Sequence, residues 1–395
     1  MSRRKPEHGY ALTLMLVLLV SGSLYVIVSR LDSTTLQTAR TAETARALQQ
    51  AKSALLAYAL TYRESHPHEA TAIKVAGYGY LPCPDLGGDD GIGMYGTAAG
   101  NCGNNNAISI GLLPYRSLGL PDLRDGDGNC LWYAVSGTHK NNPNTNPLNW
   151  DTRGQIEIFD AEGVLLLGAA GSGAAAVVIS PGAPVDGPAV QQSGLRAHKD
   201  KPCGTDSTQA AAYLESLAAQ MHNGIRKAAD GSTVGNDKLA WLSAIELYAA
   251  VGKRGTEFPG YINTALTDLA GVLNRNYAGN NPASGYRLAS PLVINDIVST
   301  EPTKQSAQNF ARQWSDHLWF RKCSVGCTVL GASCAGVLIW SGSGASMPRT
   351  SADYLESASL TLISSGTGNL VAADVGASYA PETPHKDVAL CLNPT

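Results

Sequence analysis

The feature that most constrains this chain is a run of 19 uncharged, mostly apolar residues, Tyr10 to Val28, set directly behind the basic stub MSRRKPEHG. As a helix rising about 1.5 Å per residue such a run spans roughly 28 Å, close to a hydrocarbon core of about 30 Å. The run therefore predicts a membrane-crossing helix. Arg3, Arg4 and Lys5 precede it against Glu7 alone, which places the N-terminus in the cytoplasm and the bulk of the chain outside. A cleaved secretory signal fits less well. Its apolar core would be about 7 to 15 residues and would end at small residues, whereas this run ends in Ile27-Val28-Ser29-Arg30.

The next segment is helical in character as well. The 33 residues from Leu31 to Arg63 contain neither Gly nor Pro. Ala45, Leu48, Ala51, Leu55, Tyr58 and Tyr62 recur at spacings of three or four, the mark of one amphipathic face. One unbroken rod from residue 10 to residue 63 is predicted.

Eight cysteines, Cys83, Cys102, Cys130, Cys203, Cys323, Cys327, Cys334 and Cys391, lie beyond the apolar run in Gly- and Asn-rich sequence. An even count behind a targeting segment implies disulfides made in an oxidising compartment. Cys83 with Cys102 is the preferred pair, closing the loop PCPDLGGDDGIGMYGTAAGNC; the other pairings stay open. Metal ligation by Cys323, Cys327 and Cys334 is disfavoured, because CSVGC lacks zinc-knuckle spacing and no histidine lies nearby downstream. A net charge of -3 and 15% charged residues supply no polybasic face, so no nucleic-acid partner is expected.

The two halves of the exterior repeat. LWY at Leu131–Tyr133 returns as LWF at Leu318–Phe320, and AAAVVISPG at Ala174–Gly182 returns as CAGVLIWSG at Cys334–Gly342. AAYLES at Ala211–Ser216 returns as ADYLES at Ala352–Ser357, and DKLAWL at Asp237–Leu242 aligns with DVALCL at Asp387–Leu392. Each half opens with a helix; the second begins after Ser243, where SAIE has the spacing of a capping box. A Gly-Pro break at Gly255–Gly260 then separates a helix carrying Ile262, Leu266, Leu269 and Leu273 on one face. Short strands are expected at CLWYAVS, QIEIFDAEGVLLLG, AAAVVIS and KLAWLS. The fold class is α+β: a long transmembrane and amphipathic N-terminal helix packed on an antiparallel sheet, with a second tandem α+β module. The divisions are a leader at 1–9, the long helix at 10–63, a first module at 64–242 and a second at 243–395.

A basic leader ending in Gly, then an aromatic residue opening an apolar half-helix that continues as an amphipathic one, resembles the type IV pilin and pseudopilin family. The resemblance implies cleavage between Gly9 and Tyr10 by a prepilin peptidase, N-methylation of Tyr10, residence in the bacterial inner membrane, and packing against other pilins or pseudopilins through the helix. LPCPDLGGDDG, GLLPYRSLGLPDLRDGDGNCLWYAVSG and AAAVVISPG, between Tyr78 and Leu242, are similar to a group of bacterial prepilin-like proteins. One departure is informative. Family members mostly carry Glu at the fifth mature position, to neutralise the terminal amine of a neighbouring subunit, and here that position is Leu14. An unpaired charge in an apolar core costs several kcal/mol. A subunit without the carboxylate suits an initiating or tip position, where no predecessor exists. The resemblance thus implies a structural, non-enzymatic minor subunit; the alternative is a single-pass periplasmic binding or adhesion protein, and an anchored hydrolase ranks third.

Candidate chemistry is sparse. GIGMYG at Gly91–Gly96 matches a dinucleotide fingerprint but sits in a turn-rich loop with no βαβ context. Ser172 and Ser343 lie among glycines without the pattern of a nucleophile elbow. His66, His68, His139, His198, His222, His317 and His385 read as surface or capping residues. In PDLRDGDGN, Asp122, Asp125, Asp127 and Asn129 supply hard oxygens suited to calcium, the one cofactor the sequence admits. Against that stand Gly126 and Gly128, which miss the sixth loop position, the lack of a Glu at the twelfth, and the habit of Asp-Gly pairs to form plain turns.

Overall fold

The structure, a computed structural model, describes residues 8–30, 33–66, 77–87, 95–104, 106–142, 148–160, 164–168, 173–184, 201–204, 210–214, 224–226, 237–277, 286–287, 305–323, 326–344 and 351–394. Two helices lead the chain, α1 (His8–Arg30) and α2 (Ser33–Ser65). The expected continuity between them falls on residues 31 and 32, outside the described residues. The membrane-crossing expectation is overturned: among the described residues no helix is long and apolar enough to cross a membrane. With it go the transmembrane part of the expected fold and the single-pass inner-membrane localisation. What stands is an α+β architecture with antiparallel sheets.

From Ala47 onward α2 buries Ala47, Leu48, Ala51, Leu55, Ala59 and Tyr62. The apolar stripe read from the sequence is thus nearly right; Ala45 faces solvent and Ala47 takes its place, while Tyr58 is half-buried. Against this face lies an antiparallel sheet of β1 (Ser109–Leu112), β2 (Trp132–Val135), β5 (Ala174–Ser180) and β7 (Lys238–Ser243), in that order. Between them in sequence, β3 (Glu157–Phe159), β4 (Leu165–Leu167) and β6 (Gly224–Arg226) form a small side sheet, and Ala210–Tyr213 is a single helical turn, α3.

Ser243 ends β7 and caps α4 (Ala244–Gly252): its hydroxyl accepts from the Glu246 N–H at 3.0 Å, as the Ser-x-x-Glu spacing predicts. Helix α5 (Glu257–Tyr277) starts inside the expected Gly-Pro break, because Pro259 falls in its first turn, where a missing N–H costs nothing. Ile262, Leu266, Leu269 and Leu273 all point into the core. After β8 (Tyr286–Arg287) and α6 (Gln305–Gln313) come β9 (Leu318–Lys322), β10 (Cys327–Val329) and β11 (Ala332–Trp340). The chain closes with α7 (Ser351–Tyr354), α8 (Ser357–Ser365), β12 (Gly368–Leu370), β13 (Val375–Gly376) and β14 (Asp387–Pro394). Strands β8, β9, β11 and β14 lie side by side, all antiparallel.

The two sheets agree residue by residue. Tyr133 faces Val178 across β2 and β5, and Phe320 faces Leu338 across β9 and β11. Val178 faces Ala240, and Leu338 faces Leu390. These pairs are the ones that the alignment of the two halves makes equivalent. Strand alternation then divides the side chains. Tyr133, Val178, Phe320 and Leu338 join α2, α4, α5 and α6 in one shared core. Their neighbours Trp132, Val177 and Ile179 form a second cluster on the far side of the first sheet; Trp319, Val337 and Ile339 form a third on the far side of the second.

Candidate functional site

All described side chains of α1 are exposed, and most are apolar. Tyr10 is 85% exposed and Leu14 66% exposed, with Leu12, Met15, Leu16, Val17, Leu18 and Leu19 comparable. Gly9 and Tyr10, the expected cleavage pair, lie in the first turn of α1, while residues 1–7 of the leader fall outside the described residues.

The eight cysteines form four disulfides, Cys83–Cys102, Cys130–Cys203, Cys323–Cys327 and Cys334–Cys391. Cys323, Cys327 and Cys334 are therefore engaged as sulfur bridges and offer no thiolate to a metal. Inside the Cys83–Cys102 loop the buried Asp85 accepts from the N–H groups of Gly87 at 2.9 Å and Gly96 at 2.6 Å. Buried Lys140 donates to the carbonyls of Cys102 and Asn104, with burial lowering its pKa. Gly96, the last residue of GIGMYG, thus belongs to a turn held by Asp85; residues 91–94 lie outside the described residues.

The Asp122–Asn129 loop is tied by protein donors. Asp125 Oδ1 accepts from the N–H of Asp127 at 3.0 Å and of Asn129 at 2.8 Å; its Oδ2 accepts from Ser180 Oγ at 3.0 Å and the Gly182 N–H at 3.1 Å. Asp122 pairs with Arg124 at 2.9 Å, and Asp127 with Arg40 of α2 at 3.2 Å. Asn129 Nδ2 donates to the Gly182 carbonyl at 2.7 Å. The oxygens named as calcium ligands accept from N–H, O–H and guanidinium groups of the protein, and through these bonds the loop ties α2 to the first sheet.

Ser343 Oγ lies 3.1 Å from His385 Nδ1, a pairing that no spacing announces. Among the described residues it lacks a third member: His385 Nδ1 also meets the Ser343 carbonyl at 2.7 Å, and Asp387 turns away to accept from the N–H groups of Gly342 and Glu356. A nucleophile needs its base oriented by a separate group on the other ring nitrogen. Ser172, His68, His198 and His222 lie outside the described residues. His66 Nδ1 meets the Tyr62 carbonyl at the end of α2, and His139 is wholly buried. A cleft of about 350 Å³ between α2 and α5 is lined by Arg63, Glu64, Tyr78, Glu257 and Tyr261. Arg63 stacks over the Tyr261 ring at 4.2 Å, and Glu64 accepts from Arg254 and the Tyr78 hydroxyl.

One cluster escapes sequence reasoning. His317, read as an isolated histidine in a surface or capping role, is fully buried at the junction of the halves, with Nε2 3.2 Å from Asp151 Oδ2 and 4.0 Å from Asp316 Oδ2. Asp151 sits in an Asx turn made by Asn149, whose side-chain amide donates to Asp316 at 2.8 Å. The rings of Trp150, Trp314, Trp340 and Tyr354 surround the imidazole. Asp316-His317 is adjacent in sequence, but nothing local announces that a residue so far upstream as Asp151 meets them. Compared with protein-family models, with curated proteins and with solved structures, the chain matches none.

Proposed function

We propose that this chain is a pilin-like, non-enzymatic assembly subunit, seated at or near the tip of a type IV pilus or a type II secretion pseudopilus, with α1 as the element that joins its neighbours. The observation that carries the reading is the surface of α1. A helix that is apolar on every side is stable only when it is covered, and Leu12 through Val20 present such a surface to solvent. Equivalent helices of other subunits would supply that cover.

Helix α2 supports the same division of labour. Its first turns are exposed, and from Ala47 it is built into the head, so assembly element and head are joined through one helix. Leu14 supports the end position: it gives a preceding subunit no carboxylate for its terminal amine, whose burial unpaired costs several kcal/mol.

The test has two readouts on chain coexpressed with a pilin assembly system and its leader peptidase. N-terminal sequencing should find Tyr10 as the first residue. A photo-crosslinker at Leu18 should capture a pilin-like partner, while the same group at exposed Val371 of the head should not. A mature chain starting at Met1 or Ser2, with no Leu18 product, would sink the proposal.

A further inference from the structure

We infer that Asp151, Asp316 and His317 form a site for a divalent transition-metal ion of the zinc class, clamping the first half of the chain to the second. The site lies inside the head and is independent of whether the chain assembles through α1. One ligand atom from each residue lies within 4.8 Å of the other two. Two ligand atoms bound tetrahedrally at about 2.0–2.1 Å from zinc stand about 3.3 Å apart; Nε2 of His317 and Oδ2 of Asp151 are 3.2 Å apart.

The imidazole is the most telling group. His317 is completely buried, and its Nδ1 lies 3.1 Å from both the carbonyl and the hydroxyl of Ser341; the carbonyl can only accept and the hydroxyl donates to the His317 carbonyl, which favours the proton on Nδ1. Metal-bound histidines commonly hold their second nitrogen this way. That leaves the Nε2 lone pair facing two carboxylates, a repulsive contact unless a cation lies between. A proton on Nε2 is the simple alternative, yet despite the 3.2 Å separation Nε2 makes no hydrogen bond, because an N–H there would not aim at Oδ2. A metal need not lie on the line between its ligands, so the missing hydrogen bond does not count against one.

Two carboxylates and a neutral imidazole carry a formal charge of -2, a donor set suited to one divalent ion, beside the rings of Trp150, Trp314 and Trp340. The mixed nitrogen and oxygen donors favour zinc over calcium or magnesium, which prefer all-oxygen shells. Asp316, with its side chain 33% exposed, gives the ion a way in and leaves a fourth position to water. The duplicated sequence adds a parallel. The residue before LWY is Cys130, cross-linked to Cys203, and the residue before LWF is His317, so where the first half carries a covalent staple the second carries a ligand.

The experiment uses the full-length, disulfide-intact chain, stripped with EDTA and titrated with zinc chloride. Calorimetry should find about one equivalent bound, thermal unfolding should move up by roughly 5 °C at saturation, and cobalt substituted for zinc should show the intense visible bands of a tetrahedral site. Asp316→Asn, at a partly exposed position, should weaken zinc at least about tenfold; Asp151→Asn should abolish the cobalt spectrum. If Asp151→Asn does not fold, Asp316→Asn and the parent chain still decide. Zinc uptake unchanged by Asp316→Asn, or a parent chain whose unfolding ignores zinc and whose cobalt form is colourless, would overturn the inference.

Discussion

Gly126 shows how closely the Asp122–Asn129 knot is fitted to α2. A Cβ built on it would stand 2.1 Å from the Arg40 carbonyl oxygen and 2.5 Å from the Arg40 Cα, and those are backbone atoms of a helix, which do not swing aside. The close approach lets the Gly126 N–H reach Thr44 Oγ1 at 2.9 Å and brings Asp127 to Arg40. Gly126→Ala should therefore cost about 2–3 kcal/mol through overpacking, measured as a lower denaturant midpoint with an unchanged slope. Gly119→Ala is the control: its Cβ would meet nothing within 4 Å, although its positive φ of 67° carries a strain of its own, about 1 kcal/mol. Equal losses at the two positions would mean that the docking of the loop on α2 contributes nothing.

The duplicated sheets place two buried titratable groups in their respective halves, and their pH dependences oppose each other. His139 closes the short 3₁₀ turn Gly137–His139 after β2, where burial lowers its pKa to about 3. Unfolded, it titrates near 6.5 and takes up a proton first, so its contribution to stability is present above about pH 6.5 and lost as pH falls toward 3. Asp387 begins β14; burial, then the hydrogen bond and charge of Glu356, push its pKa up to about 9. Here the native state holds the proton more tightly than the unfolded chain, so the contribution is present below about pH 4 and lost as pH rises toward 9. Stability measured from pH 5 to pH 9 in the parent and in Asp387→Asn should diverge, the parent falling more steeply with rising pH; parallel profiles would refute the assignment. Much at this scale was readable from residue order. The recurrence of LWY, AAAVVIS and DKLAWL located three strands in each half, because a sheet repeats its local pattern wherever it is repeated, and the Ser243 cap was written in four residues. The start of α5 was misplaced because Pro reads as a break, although a first turn tolerates it. Contacts between distant residues left no local signature: the Ser180 hydroxyl on Asp125 and Asp151 beside His317 depend on how whole sheets meet.

At the scale of the whole molecule, α1 stands apart from everything else in its surface chemistry. The head joins both halves in one shared core, and that core takes its residues of α2 from Ala47 onward. Among the described residues, removing 1–32 deletes no core side chain, so the shortened chain should unfold within about 0.5 kcal/mol of the full one. Association should respond very differently. Exposed Leu12, Leu14, Met15, Leu16, Leu18 and Leu19 offer the largest apolar surface on the described chain, at about 25 cal/mol per Å² when covered. The full chain should therefore sediment as oligomers and the chain from Ser33 onward as a monomer across the same concentration range. Replacing Leu14 and Leu18 together with Gln should give an intermediate distribution, because two polar side chains interrupt the surface without shortening the helix. If the chain from Ser33 onward associates as strongly as the full one, the contacts between subunits lie in the head, and α1 is not the assembly element.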